Sequence, residues 1–301
     1  MKPNKPVSVL CLMLAALIWG TAFSAQKLAV EAGVGNFLFT ATRFFIGALV
    51  LLPVVLIFCR KRLNFRKTVP ASLLAGAVLF FASNLQQFGI DLSGSAGKAS
   101  FLTGLYLILV PFAERFLLGK KLKKIIWLAA FLALIGIYLI CVKPGESVGI
   151  GDLLLILGAF FWTAHILVVG RGSTGTDPLV FSMLQFFFAG LFSAVASVFF
   201  EGFPVITLTY CLGPLAYAGV LSSGVAYTCQ VVGQRGIKPS RASILLSSES
   251  LIGAVSGVLV NGEEMTLNMV LGGIILFSAI ILSQLPSSGE IRAQTGKAEG
   301  D

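Results

Sequence analysis

The stretch ASFLTGLYLILVPFAERFLLGKK, residues 99–121, returns as ASILLSSESLIGAVSGVLVNGEE at residues 242–264. Both open Ala-Ser-x-Leu and close on a glycine, Gly119 or Gly262, followed by a charged pair. Between those ends lies an apolar run about long enough to cross a bilayer. The separation of 143 residues holds well beyond these two segments. It pairs Trp19 in LAALIWGTA with Trp162 in LGAFFWTAH, Phe44-Phe45-x-Gly47 with Phe187-Phe188-x-Gly190, Ala75-Gly76 with Ala218-Gly219, and Gln87 with Gln230. Single coincidences of common apolar residues carry little weight, but a gapless offset kept across consecutive apolar runs marks an internal duplication.

Counting outward from the duplicated segment, apolar runs occupy residues 7–26, 37–59, 69–89, 99–117, 125–142, 150–169, 180–202, 212–232, 242–260 and 268–285. Each is near the 20 residues that a hydrocarbon core of roughly 30 Å requires. The pattern predicts an all-α membrane protein of ten transmembrane helices in two inverted five-helix repeats, 7–142 and 150–285, followed by a disordered cytoplasmic tail at 286–301. Composition agrees, because 56% of the 301 residues are hydrophobic and 12% charged. A soluble domain carries roughly 25% charge, so this chain has too little to cover a soluble surface. Lys2 and Lys5 before an apolar run ending Ala22-Phe23-Ser24-Ala25 resemble a signal peptide. That run has a copy at 150–169, however, and so reads as a helix of the fold.

The net charge of +9 suggests nucleic acid until the basic residues are placed. Of 22 Lys and Arg, 18 fall on one side of the predicted spans, among them Lys2, Lys5, Arg60, Lys61, Arg62, Lys120, Lys121, Arg235 and Lys238. The other side has Lys27, Lys98 and Lys143, and Arg43 lies within a span. By the positive-inside rule both termini are cytoplasmic, which requires an even number of spans. The charge is a topology signal, and no nucleic-acid partner is expected. Five helices per repeat make the two repeats cross in opposite senses. Lys120-Lys121 accordingly stand opposite Glu263-Glu264 under the offset, basic inside and acidic outside. Inverted repeats of this kind build secondary transporters, in which one half rocks against the other around a midplane site.

ALIWGTAF at 16–23, TRFFIGALVLL at 42–52 and the paired segments quoted above resemble the EamA-type permeases of the drug/metabolite transporter (DMT) superfamily. The resemblance spans about residues 7–285 and implies a ten-helix, multi-pass protein of the cell inner membrane, in a superfamily that includes exporters of amino acids and metabolites. Two positions depart from the family pattern. Lys120 stands where an acidic residue usually follows the glycine, and Ser250 stands where a proline tends to follow the glutamate of the ninth helix. Proline would break that helix, so the geometry beside Glu249 does not carry over from the family.

Ionisable groups inside hydrocarbon cost roughly 2.5–3.5 kcal/mol by insertion scales, so each needs a partner or a use. Arg43 and Glu249 stand near mid-depth, roughly 10 Å into their spans at about 1.5 Å per residue. Arg43 would offer fixed positive charge to a substrate carboxylate or phosphate, and Glu249 would take a substrate cation or a proton. The residues leave open a structural ion pair between them, or Arg43 bound to helix-end carbonyls. Their offset partners are Phe186 and Tyr106, so neither charge is duplicated, which suits an asymmetric substrate. Trp19 and Trp162 could hold an organic ammonium on their faces or simply pack. Asn84, Gln86, Gln87, Tyr227 and Gln230 cluster at matching depths, as solute contacts or as bonds between helices. The candidate substrate-binding set is therefore Arg43, Glu249, Trp19, Trp162, Tyr106, Tyr227, Gln87 and Gln230. Glu249 and the single histidine, His165, are the candidates for proton coupling. Ser243, Ser247, Ser250, Ala254 and Gly257 form a stripe of small residues that lets helices approach closely.

No P-loop is present, since Gly94-Ser95-Ala96-Gly97-Lys98-Ala99 lacks both its spacing and its hydroxyl. The five cysteines, Cys11, Cys59, Cys141, Cys211 and Cys229, form no C-x-x-C, and no metal centre or catalytic constellation is indicated. The expected function is a secondary permease, not an enzyme and without a cofactor. It would export small organic metabolites, amino acids or related amphiphiles, by alternating access. Its partners would be a small-molecule substrate and membrane lipids, as monomer or homodimer. A lipid or lipid-linked precursor flippase and a non-transporting membrane subunit are the rival readings.

Overall fold

The computed structural model describes residues 3–59, 65–141, 148–261 and 265–285, without the side chains of residues 65, 254 and 256–261. The expected tail at 286–301, Glu263-Glu264, the Ala254 and Gly257 end of the small-residue stripe, and the basic residues Lys2, Arg60, Lys61, Arg62 and Lys143 lie outside that description. Among the described residues every regular element is helical. The first half runs α1 (Lys5–Glu31), α2 (Asn36–Val54, continued by a π-helical turn Val55–Cys59), α3 (Phe65–Ser93), α4 (Ala96–Thr103), α5 (Tyr106–Phe116) and α6 (Lys124–Cys141). The second runs α7 (Ile150–Gly172), α8 (Pro178–Phe200), a 3-10 segment (Val205–Cys211), α9 (Leu212–Ala216), a π-helical stretch (Tyr217–Tyr227), α10 (Thr228–Gln234), α11 (Pro239–Leu246), α12 (Ser248–Asn261) and α13 (Leu267–Gln284). Nine stretches among the described residues are long and apolar enough to cross a membrane, with Ala96–Phe116 and Val205–Gln234 each counting as one. The protein is a multi-pass membrane protein.

Some helices outrun the apolar windows that announced them. α1 continues five residues past Gln26 to Glu31, and α3 begins at Phe65 and ends at Ser93. Backbone hydrogen bonding needs no apolar side chain, and Lys27 pairs with Glu31 one turn on, at 3.6 Å.

Burial is inverted relative to a water-soluble fold. Leu10, Ile57, Phe58, Phe199 and Phe200 face outward, each at least 69% exposed, while Ala15, Ala16, Ala129, Ala130 and Ala133 are fully buried. Lipid gives helices no hydrophobic reason to associate, so they pack through small residues that let backbones approach. The crossing of α6 and α13 shows the tolerance. A Cβ on Gly272 would stand 2.6 Å from the Gly136 carbonyl oxygen, and one on Gly136 would stand 2.8 Å from that of Gly272.

The halves interlock by their duplication. α6 and α13 have the same bounds under the 143-residue offset and pack on each other, as α2 packs on its counterpart α8. α3 packs on α7 and α8, and the equivalent stretch, Tyr217–Tyr227 with α10, packs on α1 and α2. Contacts exchanged in this way are those of two halves around a two-fold axis.

On that axis both duplicated helices are broken, at offset-equivalent places. α4 stops at Thr103 with Gly104 as its cap, and α11 stops at Leu246 with Ser247 as its cap. The proline expected to make such a break is missing after Glu249, yet the helix breaks. Serine hydroxyls satisfy the loosened backbone there: Ser243, Ser247 and Ser248 donate to the carbonyls of Ser240, Ile244 and Leu245 at 3.0, 2.8 and 2.8 Å. Hydroxyls that bond three residues back compete with the helical pattern, and three of them gather at this break.

Candidate functional site

Each break is followed within two residues by a candidate site residue. Tyr106 opens α5, Glu249 is the second residue of α12, and the Tyr106 hydroxyl donates to Glu249 Oε1 at 3.2 Å across the axis. Two residues related by the duplication thus meet one another. They line a cavity of about 40 Å³ together with three further offset pairs, Trp19 with Trp162, Phe23 with Ile166, and Thr103 with Leu246. Every lining residue except Trp19 is buried. At roughly 10–15 Å³ per water the space holds about three, too little for an organic solute unless the cavity widens.

The walls are aromatic. Tyr227 stands at the centre, with Trp19 edge-on at 4.6 Å, Trp162 stacked at 6.1 Å and an interplanar angle of 17°, and Phe186 at 5.8 Å. Trp19 is fixed by its indole N–H, which donates to the Ser222 carbonyl at 3.2 Å. Ser222 and Tyr227 both belong to the π-helical stretch, a rare geometry found frequently at functional sites.

Two charges enter this apolar box. Arg43 is 2% exposed, its Cζ lies 4.7 Å from the Phe44 ring centroid, and its Nε and Nη2 have no hydrogen-bond partner. Among the described residues no carboxylate is at ion-pairing distance from it. The Arg43–Glu249 pair that the sequence left open is not formed, although both residues line the same cavity.

Of the sequence-derived candidates, Arg43, Glu249, Trp19, Trp162, Tyr106, Tyr227 and Gln230 line the cavity, while Gln87 and His165 do not. Gln87 Nε2 donates to the Gln26 carbonyl at 3.3 Å, and Asn84 Nδ2 donates to Ser193 Oγ at 3.0 Å, so these amides bond between helices. His165 is fully buried behind the wall, its Nε2 bonded to Gln185 Oε1 at 3.1 Å and its ring edge-on to Trp162 and Tyr227. The polar cavity residues absent from the candidate set are Gln26, Gln86, Thr103 and Ser222, with Gln86 Nε2 donating to Gln26 Oε1 at 3.2 Å. Gln26 was hidden by serving as the polar end of the first apolar run. The duplication itself was the usable signal for Thr103, which shares its cavity with its copy Leu246.

This chain matches the EamA-like transporter family twice, over residues 6–142 and 149–285. It belongs to that family. An Archaeoglobus fulgidus protein named uncharacterized transporter is 29% identical over 274 residues, 91% of this chain and 84% of that one. The Bacillus subtilis uncharacterized transporter YoaV is 25% identical over 276 residues, covering 89% and 93%. A solved crystal structure superposes with a TM-score of 0.76 at 17% identity over 93% of this chain and 97% of that one, a likeness of fold. Family membership and the apolar helices make this EamA-like protein a membrane transporter of the DMT type.

Proposed function

We propose that this EamA-like chain is a secondary exporter of small zwitterionic metabolites, amino acids or related amphiphiles, working by alternating access between two inverted five-helix repeats in the cell inner membrane. The observation that carries the reading is a buried guanidinium with two nitrogens, Nε and Nη2, free of hydrogen-bond partners, sharing one aromatic cavity, without pairing, with a single buried carboxylate. The fork of Arg43 suits a substrate carboxylate, which it can take with two charge-assisted hydrogen bonds. An ammonium at the other end of the same molecule would meet Glu249 and the tryptophan faces. When no cation is present Glu249 can hold a proton instead, which makes it the coupling residue. His165, off the cavity, serves the wall.

Ten spans and cytoplasmic termini belong to the same proposal. The span that would complete the ten is the ninth in chain order, α11 with α12, which the break divides into two short helices. Lys5 Nζ donates to the Gln284 carbonyl at 3.0 Å and Arg241 Nη2 to that of Leu285 at 3.2 Å. These bonds put the start of α1 and the end of α13 on one face, as an even number of crossings requires. Monomers or homodimers would suffice, since the site is complete in one chain.

A thermal-shift screen against a metabolite library tests the substrate class. Compounds with both a carboxylate and an ammonium should stabilise the purified protein, and either group alone should stabilise it less. Stabilisation confined to lipids or lipid-linked precursors would replace this reading with a flippase.

A further inference from the structure

Two carboxylates outside the cavity each do for a helix of the opposite half what its own residues do not. Gly35 caps α2 and offers no side chain. The cap comes instead from Glu201 at the end of α8, whose Oε1 and Oε2 accept the backbone N–H groups of Phe37 and Leu38 at 2.8 and 2.9 Å. Ser197 Oγ donates to Glu201 Oε2 at 2.9 Å and holds the carboxylate in place. At the opposite face Lys238 caps α11 with no side-chain hydrogen bond. Glu114, fully buried near the end of α5, accepts from the Ser240 backbone N–H at 3.0 Å and from the Ser240 hydroxyl, and pairs with Lys120. Each bond therefore ties a helix end of one repeat to a helix start of the other. The first lies on the extracytoplasmic face and the second on the cytoplasmic face of the topology proposed above. Both are engaged in a structure whose central cavity has room for about three waters.

We propose that Glu201 and Glu114 are the two gate latches of the transport cycle, Glu201 releasing α2 when the protein opens outward and Glu114 releasing α11 when it opens inward. The proposal rests on the alternating-access reading. Gly35 provides a way to break the outer latch without touching the carboxylate. Its φ of −56° suits any residue, yet a Cβ there would stand 2.5 Å from Glu201 Oε2. Alanine at this position would displace the acid from the helix end.

The test is the labelling of a single cysteine in the cavity, Ala22→Cys, in a background freed of reactive native cysteines. A membrane-impermeant maleimide is applied to right-side-out and to inverted vesicles. The unlatched protein should favour one face by about tenfold, the population shift that loss of one helix cap produces. Glu201→Gln and Gly35→Ala should both raise labelling from outside and lower it from inside, and Glu114→Gln should do the reverse. Labelling from both faces that all three substitutions leave unchanged overturns the latches and leaves alternating access standing. Labelling from one face only, in the parent and in every variant, overturns alternating access and the latches with it.

Discussion

Replacing Arg43 by methionine should separate binding from stability, because the two respond with opposite sign. Methionine is unbranched and adaptable enough to fill the guanidinium's place against Phe44. Arg43 has two nitrogens without hydrogen-bond partners, Nε and Nη2, and each can donate to one oxygen of a carboxylate. A hydrogen bond to a charged group contributes about 1.5–3 kcal/mol. Two on one carboxylate are not additive, and taking about 3 kcal/mol for the pair gives a loss of roughly a hundredfold in affinity at about 1.4 kcal/mol per decade. The ligand-free protein loses little by the change. A buried, unpaired charge is a burden on the fold, offset only by the cation–π contact with Phe44, which contributes about 2 kcal/mol when desolvated. Arg43→Met should therefore unfold in detergent at an unchanged or higher temperature while the ligand-induced shift seen in the parent disappears. A variant that unfolds many degrees lower yet still responds to the same ligands would make Arg43 a structural brace and refute the argument.

Tyr106→Phe removes one hydrogen bond from Glu249 and should weaken substrate binding by roughly tenfold, for a bond near 1.5 kcal/mol, with Glu249→Gln abolishing transport driven by a proton gradient. His165→Asn should leave proton-driven transport in place with a modest loss of thermal stability, and selective loss of the driven mode with intact exchange would put the imidazole in the coupling route. Gly272→Val, with its Cβ forced to 2.6 Å from the Gly136 carbonyl, should destabilise the crossing of α6 and α13 by about 1–3 kcal/mol, the usual overpacking cost, read as a lower unfolding temperature in detergent.

Much of the architecture was legible because lipid imposes simple rules. A span must be apolar for about 20 residues, and a duplication preserves its offset through every helix. The Trp19 and Trp162 pair, Arg43 and Glu249 stood out for the same reason, as polar or repeated exceptions inside apolar runs. What resisted reading was local backbone geometry. The break at Ser247 comes without a proline, amid hydroxyls that bond back to carbonyls, and serine runs also occur in unbroken helices. The π-helical stretch from Tyr217 to Tyr227 leaves no compositional trace, yet it positions Ser222 and Tyr227. Gln87 was indistinguishable from Gln230 by depth and type. Which face of the helix each residue presents decides whether it meets the cavity, and that follows from packing. Glu201 and Glu114 sit at helix ends, where carboxylates are ordinary, so their service to helices of the other repeat emerges only from the folded chain.

Counterflow in proteoliposomes tests the central claim most directly. Vesicles containing the purified protein and preloaded with an unlabelled stabilising amino acid should transiently accumulate the labelled compound from outside, and Arg43→Met vesicles should not. Absence of counterflow for every stabilising compound, with a labelled lipid instead moving between leaflets, would contradict the account.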